Sequence, residues 1–406
     1  MALLLAGITL LASGCNRGGS NTTVATPAPP VEQSAPPVSD EQCQQFAKKL
    51  EAAVKANRVH EVSKLLRFED LVRRSISDTG LSPKMQQDII SGARSELQKC
   101  EPGAQICANV KTGGSYHFLR LLHDGNRPKA LFRVISPDGG VNYLEFTIAR
   151  FPDGDFGAED IYFVATGEPI SQTMRRFMIP GLSQLSGGLL SRLRGTDKQF
   201  VANAQLIQSM SQAIRDNRYA DAQRAYRRMP KELQEDKAML VGYIQAAANI
   251  SDQEHAAAVE TLRRLYPNDP CIDLMSVDYH LIRREYKLCL DDIDRLSRAI
   301  GGDAYLENLK VNVLIEMGLL KTAATAAETA IQMEPDLKEA YWSRVTVSLR
   351  ARNHADTLVW LKKVAETFNL TLKDLRALPE YAEFVKTSQY RALMRWNLER
   401  KSKAKS

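Results

Sequence analysis

The spacing of apolar residues changes twice along this chain. From residue 40 to about 97 it follows a helical period. Phe46, Leu50 and Val54 form a stripe behind a capping Asp40, and Val62, Leu65 and Leu66 continue it or open a short helix after Asn57. Further helices are predicted over Phe68–Ile76 and over 82–97, where Ser82 caps and Pro83 occupies the first turn. The period then falls to two, and segments 116–122, 130–135, 141–148 and 161–164 read as strands. Asp124-Gly-Asn126, Pro137-Asp-Gly-Gly140 and Pro152-Asp-Gly-Asp155 join them with short-loop chemistry. Helices followed by an antiparallel meander predict an α+β domain over 40–175, with helices and a four-stranded sheet. In the segment 176–200, Leu182, Leu185, Leu189 and Leu193 share one helical face that Gly187-Gly188 weakens. It is expected to pack as a connection between domains.

From about residue 205 the helical period returns and itself recurs about every 34 residues. Small residues fall at Ala222, Ala256, Cys289, Ala323 and Thr357, with Tyr219, Tyr286, Leu320 and His354 three places earlier. Tyr226, Ile293 and Leu361 follow four places later. The clearest unit turns at Gly318, runs through an alanine-rich helix to Pro335, and restarts at Lys338-Glu-Ala-Tyr-Trp342. These units resemble the tetratricopeptide repeat, although Met210, Val277, Val311 and Val345 stand where that family has a mid-helix glycine. The resemblance implies five helical hairpins over 201–370, stacked into an all-α solenoid because one hairpin cannot bury its own apolar face. Capping helices are expected over 371–398 and a solvated basic tail over 399–406. In this family the first helix of each unit lines a groove. Carried over, the groove positions are Asn308, Asn312, Trp342, Thr346 and Arg350, and the implied partner is a protein or peptide. The paired Lys and Asn of a carboxylate clamp are missing, since only Asn312 is suitably placed.

The order of elements over 40–170 resembles the nuclear transport factor-like, or ketosteroid isomerase-like, cone. That resemblance implies a pocket which could bind a small molecule or house an acid and base, with Asp160 and Tyr162 on one strand face and His117 beside His123. Polar pairs at even spacing arise in any sheet with one wet face, so no catalytic residue is assigned and the chain is read as a non-enzyme.

The first residues add an address. An apolar run over 2–12 is too short to span a bilayer and leads into Ala12-Ser-Gly-Cys15, which resembles the bacterial lipoprotein lipobox. The likeness implies a signal peptide over 1–15, lipidation at Cys15, and a lipid-anchored protein of the bacterial envelope facing the periplasm. Residues 16–39, rich in Pro, Ser and Thr, fit a disordered tether. The remaining composition is that of ordinary globular protein, with 25% charged residues and a net charge of +6. Cys100 and Cys107, flanking Pro102-Gly103, are the first candidates for a disulfide, with Cys43 to Cys100 as the competitor. No metal, cofactor or nucleic-acid signature occurs. Three functions therefore stand open: a partner-binding scaffold for envelope assembly, a small-molecule binder or isomerase in the first domain, and a self-assembling structural protein.

Overall fold

The computed structural model describes residues 38–100, 102–125, 127–185, 193 and 195–403; side chains of 96–100, 181–185 and 401–403 are not described. Cys15 and residues 16–37 of the expected tether lie outside the described residues. The chain divides into two compact units at Cys271 and Ile272, just inside the helix Pro270–Ile282.

The first unit opens with α1 (Asp40–Lys55), α2 (Val59–Leu66), α3 (Phe68–Ile76), α4 (Pro83–Cys100) and α5 (Pro102–Lys111). Ser39, rather than Asp40, caps α1: its hydroxyl accepts from Gln42 N, and the Gln42 side chain accepts from Ser39 N in return. The meander follows as β1 (Ser115–Asp124), β2 (Arg127–Ile135), β3 (Val141–Arg150) and β4 (Phe156–Phe163), antiparallel and in sequence order. A two-residue β5 (Glu168–Pro169) adds a fifth strand to the four expected. Phe146 on the sheet meets Phe46 of α1 and packs edge-on against Phe132, with Leu50, Leu66, Leu71 and Ile76 completing a core on that face.

The first unit continues through α6 (Ile170–Leu185), α7 (Gly195–Ala202), α8 (Ala204–Arg215), α9 (Tyr219–Arg227), α10 (Lys231–Gln234), α11 (Lys237–Ala247) and α12 (Asp252–Leu265). The second unit holds α13 (Pro270–Ile282, from Ile272 on), α14 (Tyr286–Ile300), α15 (Ala304–Glu316), α16 (Leu320–Met333), α17 (Lys338–Arg350), α18 (His354–Thr367), three 3-10 turns and α19 (Ser388–Lys403).

Five helical hairpins thus occupy the expected stretch, and their turns share one design. Asn217, Arg284, Gly318 and Arg352 all take positive φ. The next N–H along reaches back five residues: Arg218 to Ala213 O, Glu285 to His280 O, Leu319 to Leu314 O and Asn353 to Ser348 O, at 2.8–2.9 Å. Twelve residues separate the buried pairs Met210/Ala222, Val277/Cys289, Val311/Ala323 and Val345/Thr357. The hairpin of α11 and α12 departs from this. It has no positive-φ turn residue; Ser251 caps α12 instead, accepting from Glu254 N. Its link is four residues, 248–251, against three in the other hairpins, and His255 is buried there while the expected Ala256 is exposed.

The α1–α2 hairpin has the same turn, with Asn57 at positive φ and Arg58 N bonded to Ala53 O at 2.9 Å. Its buried Leu50 and Val62 keep the same separation.

Candidate partner-binding groove

Within the second unit, α15 and α17 are the first helices of successive hairpins and pack against each other. Val311 and Leu314 of α15 enter a core with Ala323, Ala326 and Ala327 of α16 and Val347 of α17. Alanines at those places let the helices approach closely, which fixes the rotation of α15 and α17 about their axes. α17 is held further by Tyr341, whose hydroxyl donates to Pro335 O at 3.0 Å while its ring meets the edge of Phe368 at 5.1 Å.

That rotation decides what is presented. Asn312 and Thr346 each follow a buried valine and are both exposed, as is Arg350. Trp342 is half-buried, and the Thr346 hydroxyl donates to its carbonyl at 3.0 Å. Asn308 differs from its neighbours. It is only 5% exposed, and its Oδ1 is buried without a hydrogen-bond partner. Four of the five expected residues therefore reach solvent at least in part, and the fifth, Asn308, is buried.

The same offset finds residues that the sequence reading passed over. In α13, Asp278 stands where Asn312 and Thr346 do, and is exposed; Ile282 stands where Arg350 does, and is 82% exposed. Glu316 completes that second row in α15. The face therefore carries Asp278 and Glu316 towards one end and Arg350 at the other. Amides, an indole, an isolated aliphatic and charges of both signs suit a polypeptide, which offers all the complementary groups.

The polar residues that the cone resemblance would place in a pocket do not converge. Asp160 accepts from Arg74 Nε at 3.0 Å, Ile161 N at 2.9 Å and Ser171 N at 3.3 Å. The Tyr162 hydroxyl instead donates to Asp269 at 3.2 Å, and the Lys237 ammonium, ion-paired to Asp269, lies 3.3 Å from it. Burial, reinforced by the Asp269 charge, pushes the Tyr162 phenol far above its usual range, so it serves as a neutral donor. This cluster joins the sheet to the α11–α12 hairpin. Gly167, at φ +66°, admits the Lys237 stem where any Cβ would sit 2.5 Å from Lys237 Cε. His117 bonds to Glu51 at 2.8 Å, while His123 bonds to Asp40 at 3.0 Å. A recess of about 240 Å³ between α1, α2 and the β3–β4 turn, lined by Gln42, Phe46, Lys49, Lys64, Leu65 and Phe156, contains none of these four.

The expected disulfide is not formed at Cys107, which is a free, buried thiol on α5; the side chain of Cys100 lies outside the described residues. The competing Cys43 is likewise free and buried, and burial pushes its thiol up to about 12. Cys271 rises equally for the same reason. Among the described residues no group of three His, Cys, Asp or Glu could hold a metal ion, and no helix is long and apolar enough to cross a membrane.

No family model matches the sequence, and no curated protein matches it. The chain is similar to solved structures of MamA. One, residues 41 to the end from Desulfovibrio magneticus RS-1, is 18% identical with a TM-score of 0.35, covering 41% of this chain and 95% of that one. A second crystal structure of MamA protein is 16% identical with a TM-score of 0.35, covering 44% and 95%. A third, MamA AMB-1, is 12% identical with a TM-score of 0.34, covering 44% and 98%.

Proposed function

We propose that this protein is a non-enzymatic scaffold, tethered to the bacterial envelope through Cys15, that holds protein or peptide partners on a tetratricopeptide-like groove. The observation that carries the reading is the repeated register of the first helices. The same packing that buries Val311 and Val345 presents Asn312, Thr346, Arg350 and Trp342 on one face. A face built by repetition recognises extended or helical polypeptide through several modest contacts, with a few anchors dominating. Trp342 and Arg350, the types most often found as such anchors, are the residues assigned that role here. A task in envelope assembly follows from the expected anchor and periplasmic address.

The test is capture by crosslinking from whole cells, comparing the native protein with Trp342→Ala and Arg350→Ala. Each substitution is expected to lower the yield of specific partners several-fold, since loss of an interface anchor typically costs about 1–2 kcal/mol or more. Equal yields from all three proteins would remove the groove assignment. The small-molecule alternative would rest on the recess beside Lys49 and Lys64, and not on Asp160 or Tyr162.

A further inference from the structure

The positive charge of this chain is gathered at its end. Residues 388–406 hold six Lys and Arg and one Glu, which is five of the six net positive charges in the whole sequence. Most of this stretch is α19, whose inner side is fixed by the buried Tyr390, Leu393 and Asn397; the Asn397 amide donates to Leu372 O at 2.8 Å. Four and seven residues along from Arg391, helical geometry puts Arg395 and Leu398 on the opposite side. All three are exposed, Leu398 by 66%.

α18 packs alongside α19, on the flank that carries Trp396. Trp396 of α19 touches two cations: Lys362 of α18 at 5.4 Å and Arg400 at 5.2 Å from the ring centre. On α18, Lys363 is exposed, and Val359 is 58% exposed. The acids nearby do not neutralise the patch. Asp374 is taken by Arg376 and Glu383 by Lys386, and Glu366 and Glu399 are two acids among five described cations, Lys362, Lys363, Arg391, Arg395 and Arg400.

We propose that this terminal face docks on the surface of an anionic lipid bilayer. Clustered Lys and Arg gain from the negative potential of such a surface, and exposed aliphatics among them gain by entering the headgroup boundary. A nucleic acid fits less well. Leu398 and Val359 have nothing to gain against a phosphate backbone, and the Trp396 ring that would stack on a base is already engaged by two cations. The proposal uses a different face from the partner groove and does not depend on Cys15 being acylated.

The experiment is vesicle flotation of the full chain carrying Cys15→Ala, so that acylation plays no part. Neutral phosphatidylcholine vesicles are compared with vesicles containing about one-third phosphatidylglycerol, at low and at high salt. The expected result is at least tenfold stronger binding to the anionic vesicles at low salt. That preference should collapse near 0.5 M salt, where the screening length falls to a few ångströms. The double variant Arg391→Glu with Arg395→Glu should lose most of it, and Leu398→Asp several-fold, with melting temperatures unchanged because all three side chains are exposed. Equal binding to both vesicle types, or an unaffected double variant, would overturn the proposal. Binding to duplex DNA without binding to anionic vesicles would overturn it in favour of a nucleic acid.

Discussion

Glu51 is where charge, burial and fold meet in one side chain. It accepts from His117 Nδ1 at 2.8 Å and from Phe118 N at 3.3 Å, and pairs with Lys55 at 2.9 Å, so it ties α1 to β1. Burial works against its charge, but the hydrogen bonds from His117 and Lys55 outweigh it and hold the carboxyl down at about 2. An unfolded glutamate titrates at about 4.3. The folded-state value lies below the unfolded one, so the stabilisation is complete above about pH 4.3 and is lost as pH falls towards 2. Glu51→Gln is expected to cost on the order of 1–3 kcal/mol at neutral pH and to flatten that acid-dependent loss. Urea unfolding at stepped pH reads both, and an unchanged acid limb would contradict the pairing.

Asn308 makes the opposite case. A buried acceptor without a partner costs about 1–3 kcal/mol. Asn308→Leu is therefore expected to leave the melting temperature unchanged or raise it. A clear drop in melting temperature would mean that the amide is satisfied within the fold. Sequence spacing placed Asn308 in line with Trp342, but an amide and an indole at equivalent places differ in reach, and that difference is invisible to periodicity.

Among the elements, the hairpin turns were the most legible and also the source of the largest slip. The 34-residue spacing located all five hairpins, because buried small residues and turn residues must recur wherever helix pairs stack. It misplaced one residue, Ala256, because the α11–α12 link has four residues instead of three and is capped by Ser251 rather than closed by a left-handed residue. The helix α5 escaped notice for a related reason. Pro102-Gly103 reads as a turn, yet proline is well suited to a first helical position. Gly103 is needed there because a Cβ would lie 2.4 Å from Val59 O. The recurring turn gives paired expectations. Gly318→Ala should destabilise by about 1 kcal/mol, since the left-handed backbone penalises a Cβ and space is not the constraint. Arg284→Gly, at the equivalent turn, should stabilise by roughly 0.5 kcal/mol once the greater freedom of unfolded glycine is offset. Thermal melts of the two variants read the signs; the same sign for both would contradict a shared turn.

For the whole molecule, the α+β region and the helical hairpins were both readable from the change of period, from 3.6 to two and back. The boundary between compact units was not. Composition suggests a break near residue 176, whereas the first two hairpins belong with the sheet. What joins them within that unit includes Tyr162, Lys237 and Asp269, whose meeting across more than 100 residues has no local signature. The same limit applies to the polar strand pairs: alternation can put two polar residues on one side of a strand, but only tertiary packing decides which partners they find. The central claim is that the face shared by α15 and α17 holds the partner. Hydrogen exchange of the full chain, alone and with its captured partner, tests it most directly. Slowed exchange is expected in α15 and α17, around Asn312 and Thr346, with the sheet unchanged. Protection confined to the strands or to the recess beside Lys49, with α15 and α17 exchanging as before, would contradict the account.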